Sequence, residues 1–408
     1  MSTLTPAMTA ALEEYASWQE PLFEDLHRHP ELSMQEERTT GIVAEQLEGF
    51  GYAVQRIGGG VVGVLESGAG PTILHRADMD GLPVREDSGL PYASEHTQAD
   101  ADGVEQPTMH ACGHDAHIVT ALGAARLLAE HREDWSGTFI ALFQPGEEIA
   151  AGARAMVEDG LAEKIPTPDA CLGQHVMGDP VAGRIAVAPG PMFSASVSMR
   201  LTVHGAGSHG SMPHRSVDPI VLAAAIVTRL QTLVAREIAP GDFGVVTVGA
   251  LHAGSGPNII PDRAQMLLNF RAYSDEILDQ LVEGVQRIAR AESEAARSPR
   301  EPEVELFNHY PLTDNDPELA EAVRAAVAAQ LGEERVEVME PSTGSEDFSI
   351  IPDALGVPSC YWVFGGYAEG RDPAPNHSPL WSLDLQPTLR TGTEAAAAAA
   401  VALLGGRG

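Results

Sequence analysis

The chain has 408 residues, enough for a large buried core and, by size, for two domains. It is 44% hydrophobic and 20% charged, as folded globular proteins are, and no apolar run reaches the roughly 18 residues of a membrane-spanning helix. The formal net charge of −33 comes from 58 acidic against 25 basic residues, with Lys164 the sole lysine; such a surface repels phosphate backbones and anionic lipid, so neither nucleic acid nor membrane is an expected partner. Along the chain, Met1 to Glu20 carries Glu13 and Glu14 where a secretory signal needs basic and then apolar residues, so a soluble, cytoplasmic protein is expected. Residues 8–29 read as an amphipathic helix ending before Pro30. Residues 35–49 read as a second, stopped by Gly51.

A recurring unit follows, in which a short apolar run ends abruptly in chemically capable residues. Pro71–Leu74 leads to His75-Arg76-Ala77-Asp78-Met79-Asp80, Gly137–Phe143 leads to Gln144-Pro145-Gly146-Glu147-Glu148, and Asp169–Gly173 leads to Gln174-His175. Ser359–Phe364 reads as a buried strand with Asn376-His377-Ser378-Pro379 one loop later, and a helix is expected over His117–Glu130. Strands alternating with helices predict an α/β fold around a largely parallel sheet. Sites in such sheets lie beyond the carboxyl ends of the strands, where these clusters fall. Residues 193–308 have another rhythm. Ser196–Val203 alternates with Val197, Met199, Leu201 and Val203 on one face, then come a helix (Pro219–Glu237), strands (Gly244–Leu251, Arg263–Tyr273), a helix (Asp275–Glu292) and a strand (Glu303–Phe307). This β-α-β-β-α-β order predicts an inserted ferredoxin-like domain over 193–308, leaving 1–192 and 309–408 for the other domain. The Ala-rich segment Glu394–Leu404 reads as a terminal helix.

Of the three cysteines, Cys171 and Cys360 sit in apolar runs and read as buried small hydrophobes. Cys112 instead lies in Met109-His110-Ala111-Cys112-Gly113-His114-Asp115-Ala116-His117, where metal-competent side chains crowd together. Thiolate, imidazole and carboxylate together suit zinc, manganese, cobalt or nickel better than calcium or magnesium. Adjacent glutamates after a Pro-Gly turn can point apart, so that one of Glu147 and Glu148 binds metal and the other handles water. On spacing alone a structural turn at Cys-Gly-His and buried, satisfied histidines explain the same residues, because no compact motif such as H-E-x-x-H occurs.

Taken together, His27-Arg28-His29-Pro30-Glu31-Leu32, Arg76–Asp80, Met109–His117, Gln144–Glu148, His209–His214, Asn258-Ile259-Ile260-Pro261, Ser345-Glu346-Asp347-Phe348 and Asn376-His377-Ser378 resemble the M20 metallopeptidase family over nearly the full length. The resemblance is to its branch of N-acyl-amino-acid amidohydrolases, hippurate hydrolases and indole-acetyl-amino-acid hydrolases, including aminoacylases for N-acyl-glutamine. It implies two divalent ions held by Cys112, His114, Glu148, His175 and His377, with Cys112 bridging and Glu147 as general base. It implies an inserted domain that serves as lid and homodimer surface, with His209 stabilising the oxyanion and Asn258 and Arg271 holding the substrate carboxylate. The implied reaction cleaves an N-acyl amino acid, a small molecule, into a carboxylic acid and an amino acid. The same scaffold also carries dipeptidases and p-aminobenzoyl-glutamate hydrolases. A metal- or ligand-binding relic is the non-catalytic alternative, against which the intact Glu147 argues. Where the wider family has His-x-Asp this chain has Arg76-Ala77-Asp78; Arg76 cannot ligate a metal, so Asp78 is expected to orient a ligand histidine. His75, one residue out of phase, is expected on the other face of its strand, His214 to be structural, and His27 and His29 to serve the turn before Pro30.

Overall fold

The amphipathic stretch before Pro30 breaks in two. In the computed structural model, which describes residues 3–406, a short helix (Pro6–Ala11) and a 3-10 turn (Leu12–Glu14) precede α1 (Ala16–Arg28). α2 (Glu37–Gly49) begins after Gln35 because the Glu31 carboxylate accepts the N–H groups of Arg38 and Thr39 at 2.9 and 2.7 Å, serving as a remote cap. Strands β1 (Ala53–Ile57), β2 (Gly60–Glu66) and β3 (Thr72–Asp78) follow, then α3 (His114–Glu130), β4 (Thr138–Gln144), β5 (Ala170–Ala182) and β6 (Ile185–Ala186). A second group comprises β7 (Ala195–His204), β8 (Ser208–His209), α4 (Pro219–Glu237), β9 (Gly244–Ala253), β10 (Ile259–Ile260), β11 (Arg263–Ala272), α5 (Asp275–Ala295) and β12 (Glu303–Tyr310). The chain closes with α6 (Pro317–Leu331), β13 (Val336–Glu337), β14 (Ser359–Gly365) and α7 (Leu385–Leu403).

Two compact units result. One holds residues up to Met192 with Asp314–Glu340 and the chain from Asp347; the other holds Phe193–Thr313 and Pro341–Glu346. The second thus runs to Thr313 rather than 308, because its last strand continues to Tyr310, and it takes back a six-residue segment that the sequence pattern does not mark.

In the first unit an eight-stranded sheet has the order β1-β2-β4-β3-β5-β14-β6-β13. Its centre, β4-β3-β5-β14, is parallel, and β1 and β2 extend it antiparallel on one side. Helices cover both faces, which is why the central strands read as continuous apolar runs such as Phe139–Phe143. α3 is buried nearly throughout and lies against α7, whose run Ala395–Ala400 is also buried. The small side chains allow this approach: a Cβ on Gly123 would lie 2.6 Å from Thr393 Oγ1. The Ala-rich helix starts at Leu385, nine residues before the expected start at Glu394. His175, expected beyond a strand end, lies inside β5. Pairing of β5 with β3 stops at Gly173 and its register with β14 breaks after Val176, so His175 stands where the sheet opens.

The second unit is an antiparallel sheet in the order β9-β11-β7-β12 with α4 and α5 packed on it, the ferredoxin-like arrangement. Val197, Met199, Leu201 and Val203 alternate inward with Met266, Leu268 and Phe270 against Leu222, Ile226, Leu230 and Leu233 of α4. Asp218 caps α4 by accepting the Ile220 N–H at 2.9 Å, and Pro219 opens its first turn. α4 is long and apolar enough to cross a bilayer by length and composition, but one of its faces is core of this unit.

Candidate metal centre

The first unit assembles a cluster from four separate segments. Gly113, at φ +85°, turns the chain sharply between Cys112 and α3, so Cys112 and His114 face the same space and α3 begins three residues earlier than its apolar pattern suggests. A Cβ at Gly113 would lie 2.2 Å from Val176 Cγ1. Glu147 and Glu148 open a 3-10 turn after Gly146. His377 sits in a loop at φ +67°, its N–H donated to the Ala111 carbonyl at 2.8 Å.

Two groups of ligand-capable atoms share the Cys112 thiol: Cys112, His114 and His175, and Cys112, Glu148 and His377, each within 4.8 Å of one another; His114, Glu147 and Glu148 form a further such group beside them. Within them Cys112 Sγ lies 3.5 Å from His175 Nε2, His114 Nε2 lies 3.8 Å from Glu148 Oε1, and His377 Nε2 lies 3.3 Å from Glu148 Oε2. The first is a hydrogen bond of ordinary length for sulfur, whereas the His114–Glu148 distance is too long for one. The partners of the other nitrogens explain the arrangement. His175 Nδ1 lies 2.7 Å from the Val176 carbonyl and His114 Nδ1 3.2 Å from Asp80 Oδ1, so each ring carries its proton on Nδ1 and turns Nε2 inward, His175 towards Cys112 and His114 towards Glu148. His114 Nε2 and Glu148 Oε1 are buried and have no hydrogen-bond partner among the described residues. These two unpartnered atoms, with the Cys112 thiol and the His175 and His377 rings converging on the same space, fit two divalent cations. Burial holds His175 well below the usual imidazole range. His377, hydrogen-bonded to Cys112 and Glu148, is pushed up to about 10. The negative groups that hold this proton are those a cation would use, so metal uptake displaces protons.

Around this space stands a buried polar frame. Arg76, 1% exposed, donates to Asp78 Oδ2 at 2.7 Å, Gln144 Oε1 at 2.9 Å and Asp347 Oδ1 at 3.0 Å. Asp78 Oδ1 lies 2.5 Å from His117 Nδ1, and His117 Nε2 accepts the Val176 N–H at 2.8 Å. Both His117 nitrogens are therefore used, so His117 is no ligand although it lies beside Asp78 and His114. The orienting bond expected from Asp78 to a ligand histidine goes instead to His117; Asp78 stays 3.7 Å from His114 Nε2. Burial alone would raise the Asp78 carboxyl, but the neighbouring His114 ring, the Arg76 guanidinium and the His117 ring hydrogen-bonded to it hold it well below the usual range. The carboxylate that orients His114 is Asp80, fully buried, whose Oδ1 also accepts the Glu147 N–H at 3.2 Å and whose Oδ2 accepts the Glu148 N–H at 3.1 Å. Two-residue alternation puts Arg76, Asp78 and Asp80 on one side of an extended strand, and that was the available signal for Asp80. His75 faces the other way, 6.0 Å from the Trp362 ring by centroids, and burial pushes it down to about 3. His27 belongs to the last turn of α1 rather than to a turn before Pro30. Its ring is clamped between Asp115 (2.6 Å) and Glu86 (3.1 Å).

The remaining site candidates belong to the second unit. His209 is exposed on β8; its Nδ1 accepts the Ser211 N–H at 3.2 Å, which leaves the ring proton on Nε2 as an outward donor. Asn258 is tied to the same ladder through the Gly210 N–H and its own carbonyl at 2.7 Å. Arg271, half-buried on β11, reaches the Thr343 carbonyl at 2.6 Å and Ser345 Oγ at 3.1 Å. His209 and His252 help line a cavity of about 910 Å³ together with Ile259, Arg263 and Gln265. His214 lies exposed in a 3-10 turn.

Residues 74–401 match the family model described as Peptidase family M20/M25/M40. N-acetylcysteine deacetylase of Bacillus subtilis is 36% identical over 86% of this chain and 89% of its own length. Hippurate hydrolase of Campylobacter jejuni is 36% identical over 85% of this chain and 87% of its own. The crystal structure of the Bacillus subtilis YXEP protein, a dinuclear metal-binding peptidase of the M20 family, superposes with a TM-score of 0.79 at 30% identity, covering 96% of this chain and 99% of that one. The dinuclear metal binding of that protein and the two ligand groups sharing Cys112 agree on a centre for two divalent metals. The chain belongs to peptidase family M20/M25/M40 and is a metal-dependent amidohydrolase.

Proposed function

We propose that the protein hydrolyses the amide bond of N-acyl-L-amino acids, releasing a carboxylic acid and a free amino acid. The observation that carries this reading is a buried Glu147 carboxylate beside the paired ligand groups that share Cys112. Cys112, His114 and His175 would hold one divalent ion and Cys112, Glu148 and His377 the other. When bound, the pair supplies Lewis-acid polarisation of the acyl carbonyl and lowers the pKa of water. Glu147 takes a proton from the attacking water and returns it to the leaving amine as the C–N bond breaks. His209, with its outward N–H, is suited to stabilise the tetrahedral oxyanion, and Arg271 with Asn258 to hold the substrate carboxylate. The relatives named for an N-acetyl and a benzoyl amino acid support this class of substrate.

A thiolate and three imidazoles favour zinc, manganese, cobalt or nickel over all-oxygen ions. A cysteine ligand is kept reduced in the cytoplasm, where we place the enzyme. We further propose a homodimer through the second unit, which acts as lid. The edge strand β9 and the exposed Val221, Leu251 and Ile259 support that reading. The test is a panel of N-acetyl and N-benzoyl amino acids, dipeptides and p-aminobenzoyl-glutamate, assayed with Mn²⁺, Co²⁺ or Zn²⁺. Turnover fastest on the acyl amino acids supports the proposal. Dipeptides or p-aminobenzoyl-glutamate cleaved faster would transfer it to those classes, and a fully metallated protein inert on the whole panel would overturn it.

A further inference from the structure

The segment Pro30–Glu36 makes no contact expected of a catalytic group, yet it is strapped under the metal centre. Glu31 accepts the Gly81 N–H through its carbonyl at 2.7 Å, and Leu32 forms a bridge with Gly81. Met34 is held at φ +65°, a conformation that costs a residue with a Cβ. Its N–H and that of Gly146, the residue before Glu147, both donate to Glu36 Oε1, at 2.9 and 2.8 Å. At the tip of this turn Ser33 Oγ donates to Asp80 Oδ2 at 2.6 Å.

Asp80 therefore receives four donors on one buried carboxylate: His114 Nδ1 and the Glu147 N–H on Oδ1, the Glu148 N–H and the Ser33 hydroxyl on Oδ2. A carboxylate accepts about four such bonds, so it is saturated and cannot rotate. We propose that Asp80 and Ser33 are positioning residues that lock the His114 ring and the turn bearing Glu147 and Glu148 into one register, so that loading of the His114 site and placement of the base are set together. This rests on the reading of His114 as a ligand and Glu147 as the base. Ser33 is the one donor of the four that belongs to neither a proposed ligand nor the base, which makes it the clean handle. An Asn at position 80 would turn its amide N–H₂ towards one pair of donors. The Ser33 hydroxyl can reverse and accept, but the backbone N–H groups of Glu147 and Glu148 cannot, and His114 Nδ1 can do so only by moving its proton to Nε2, the nitrogen a metal would use.

The test titrates metal-stripped protein with Co²⁺ alone, follows the cobalt visible spectrum, and measures kcat and KM separately on the reloaded enzyme. Ser33→Ala is expected to keep its unfolding midpoint, to lose about tenfold in Co²⁺ affinity at one of the two sites and about tenfold in kcat at unchanged KM, with Ser33→Thr restoring both. Asp80→Asn is expected to lose about a hundredfold in Co²⁺ affinity. Wild-type affinity, spectrum and kcat in Ser33→Ala, or a Ser33→Thr no better than Ser33→Ala, would overturn the proposal. The cobalt arm needs no substrate, so an error in the substrate class leaves it standing.

Discussion

Replacing Arg76 by Met should destabilise the first unit severely without removing a metal ligand. The guanidinium is fully buried and bonds two carboxylates, Asp78 at 2.7 Å and Asp347 at 3.0 Å, besides Gln144. Removing the cation strands two buried negative charges. Asp78 keeps His117 and Asp347 keeps the Gln144 N–H₂ at 2.6 Å, so the loss is less than two bare charges. Breaking a buried pair costs about 3–5 kcal/mol, a third or more of the stability of most domains. Arg76→Met combined with Asp347→Asn removes one of the stranded charges and should recover more than about 1 kcal/mol relative to the sum of the single variants. The assay is urea unfolding in chelator, so that metal binding adds nothing to the native state, followed by tryptophan fluorescence. All four tryptophans (Trp18, Trp135, Trp362 and Trp381) belong to the first unit, which the signal therefore reports. A cost below about 1 kcal/mol in Arg76→Met, or strict additivity in the double variant, would refute the reasoning.

Glu147→Gln should lower kcat by about 10²- to 10⁴-fold while leaving two metal ions bound; activity within tenfold of wild type removes Glu147 from the role of base. His27, whose burial opposes its charge but whose bonds to Asp115 and Glu86 prevail, has its pKa raised from 6.5 to about 9. A raised folded-state pKa adds stability that is fully present below pH 6.5 and is lost as pH rises through about 9, here up to about 3 kcal/mol. The difference in unfolding free energy between wild type and His27→Gln should therefore shrink across that interval, and a difference that is flat or grows with pH contradicts the pairing. Gly113→Ala, whose Cβ would meet Val176 at 2.2 Å at φ +85°, should cost well over 2 kcal/mol and weaken metal binding, whereas Gly51→Ala at φ +90°, with open space around it, should cost only about 1 kcal/mol. Equal costs at the two glycines would remove the steric argument.

The two-unit α/β architecture was legible because its signals are local: apolar runs for strands covered on both faces, strict alternation in β7, Asp-Pro at the start of α4. Helix starts were less legible where the determinant lies elsewhere in the chain. Glu31 caps α2 from six residues upstream of its first residue, and α3 begins at a left-handed glycine rather than at its first apolar side chain. The ligand candidates Cys112, His114, Glu148, His175 and His377 carry their chemistry in their own side chains, and the fold brings all five to one space. What the sequence could not reveal is which acceptor serves which ring. Asp78 and Asp80 differ by one turn of the strand alternation, and only the fold shows Asp78 bonded to His117 and Asp80 to His114. Arg76, which reads as the loss of a ligand, proves to be the hub of a buried ion network, a role that depends on Asp347, distant in sequence by 271 residues.

The central claim, an amidohydrolase centre whose two divalent ions would be held by the two ligand groups that share Cys112, is tested most directly by titrating metal-stripped wild type and Cys112→Ala with Co²⁺ while recording bound metal, near-ultraviolet thiolate-to-cobalt absorption and turnover of an N-acyl amino acid. The account predicts two equivalents per wild-type chain, a thiolate band, and turnover that rises with loading, with the band absent and metal affinity and turnover sharply reduced in Cys112→Ala. Two equivalents bound at wild-type affinity in Cys112→Ala, or full turnover by the stripped wild-type protein, would contradict it.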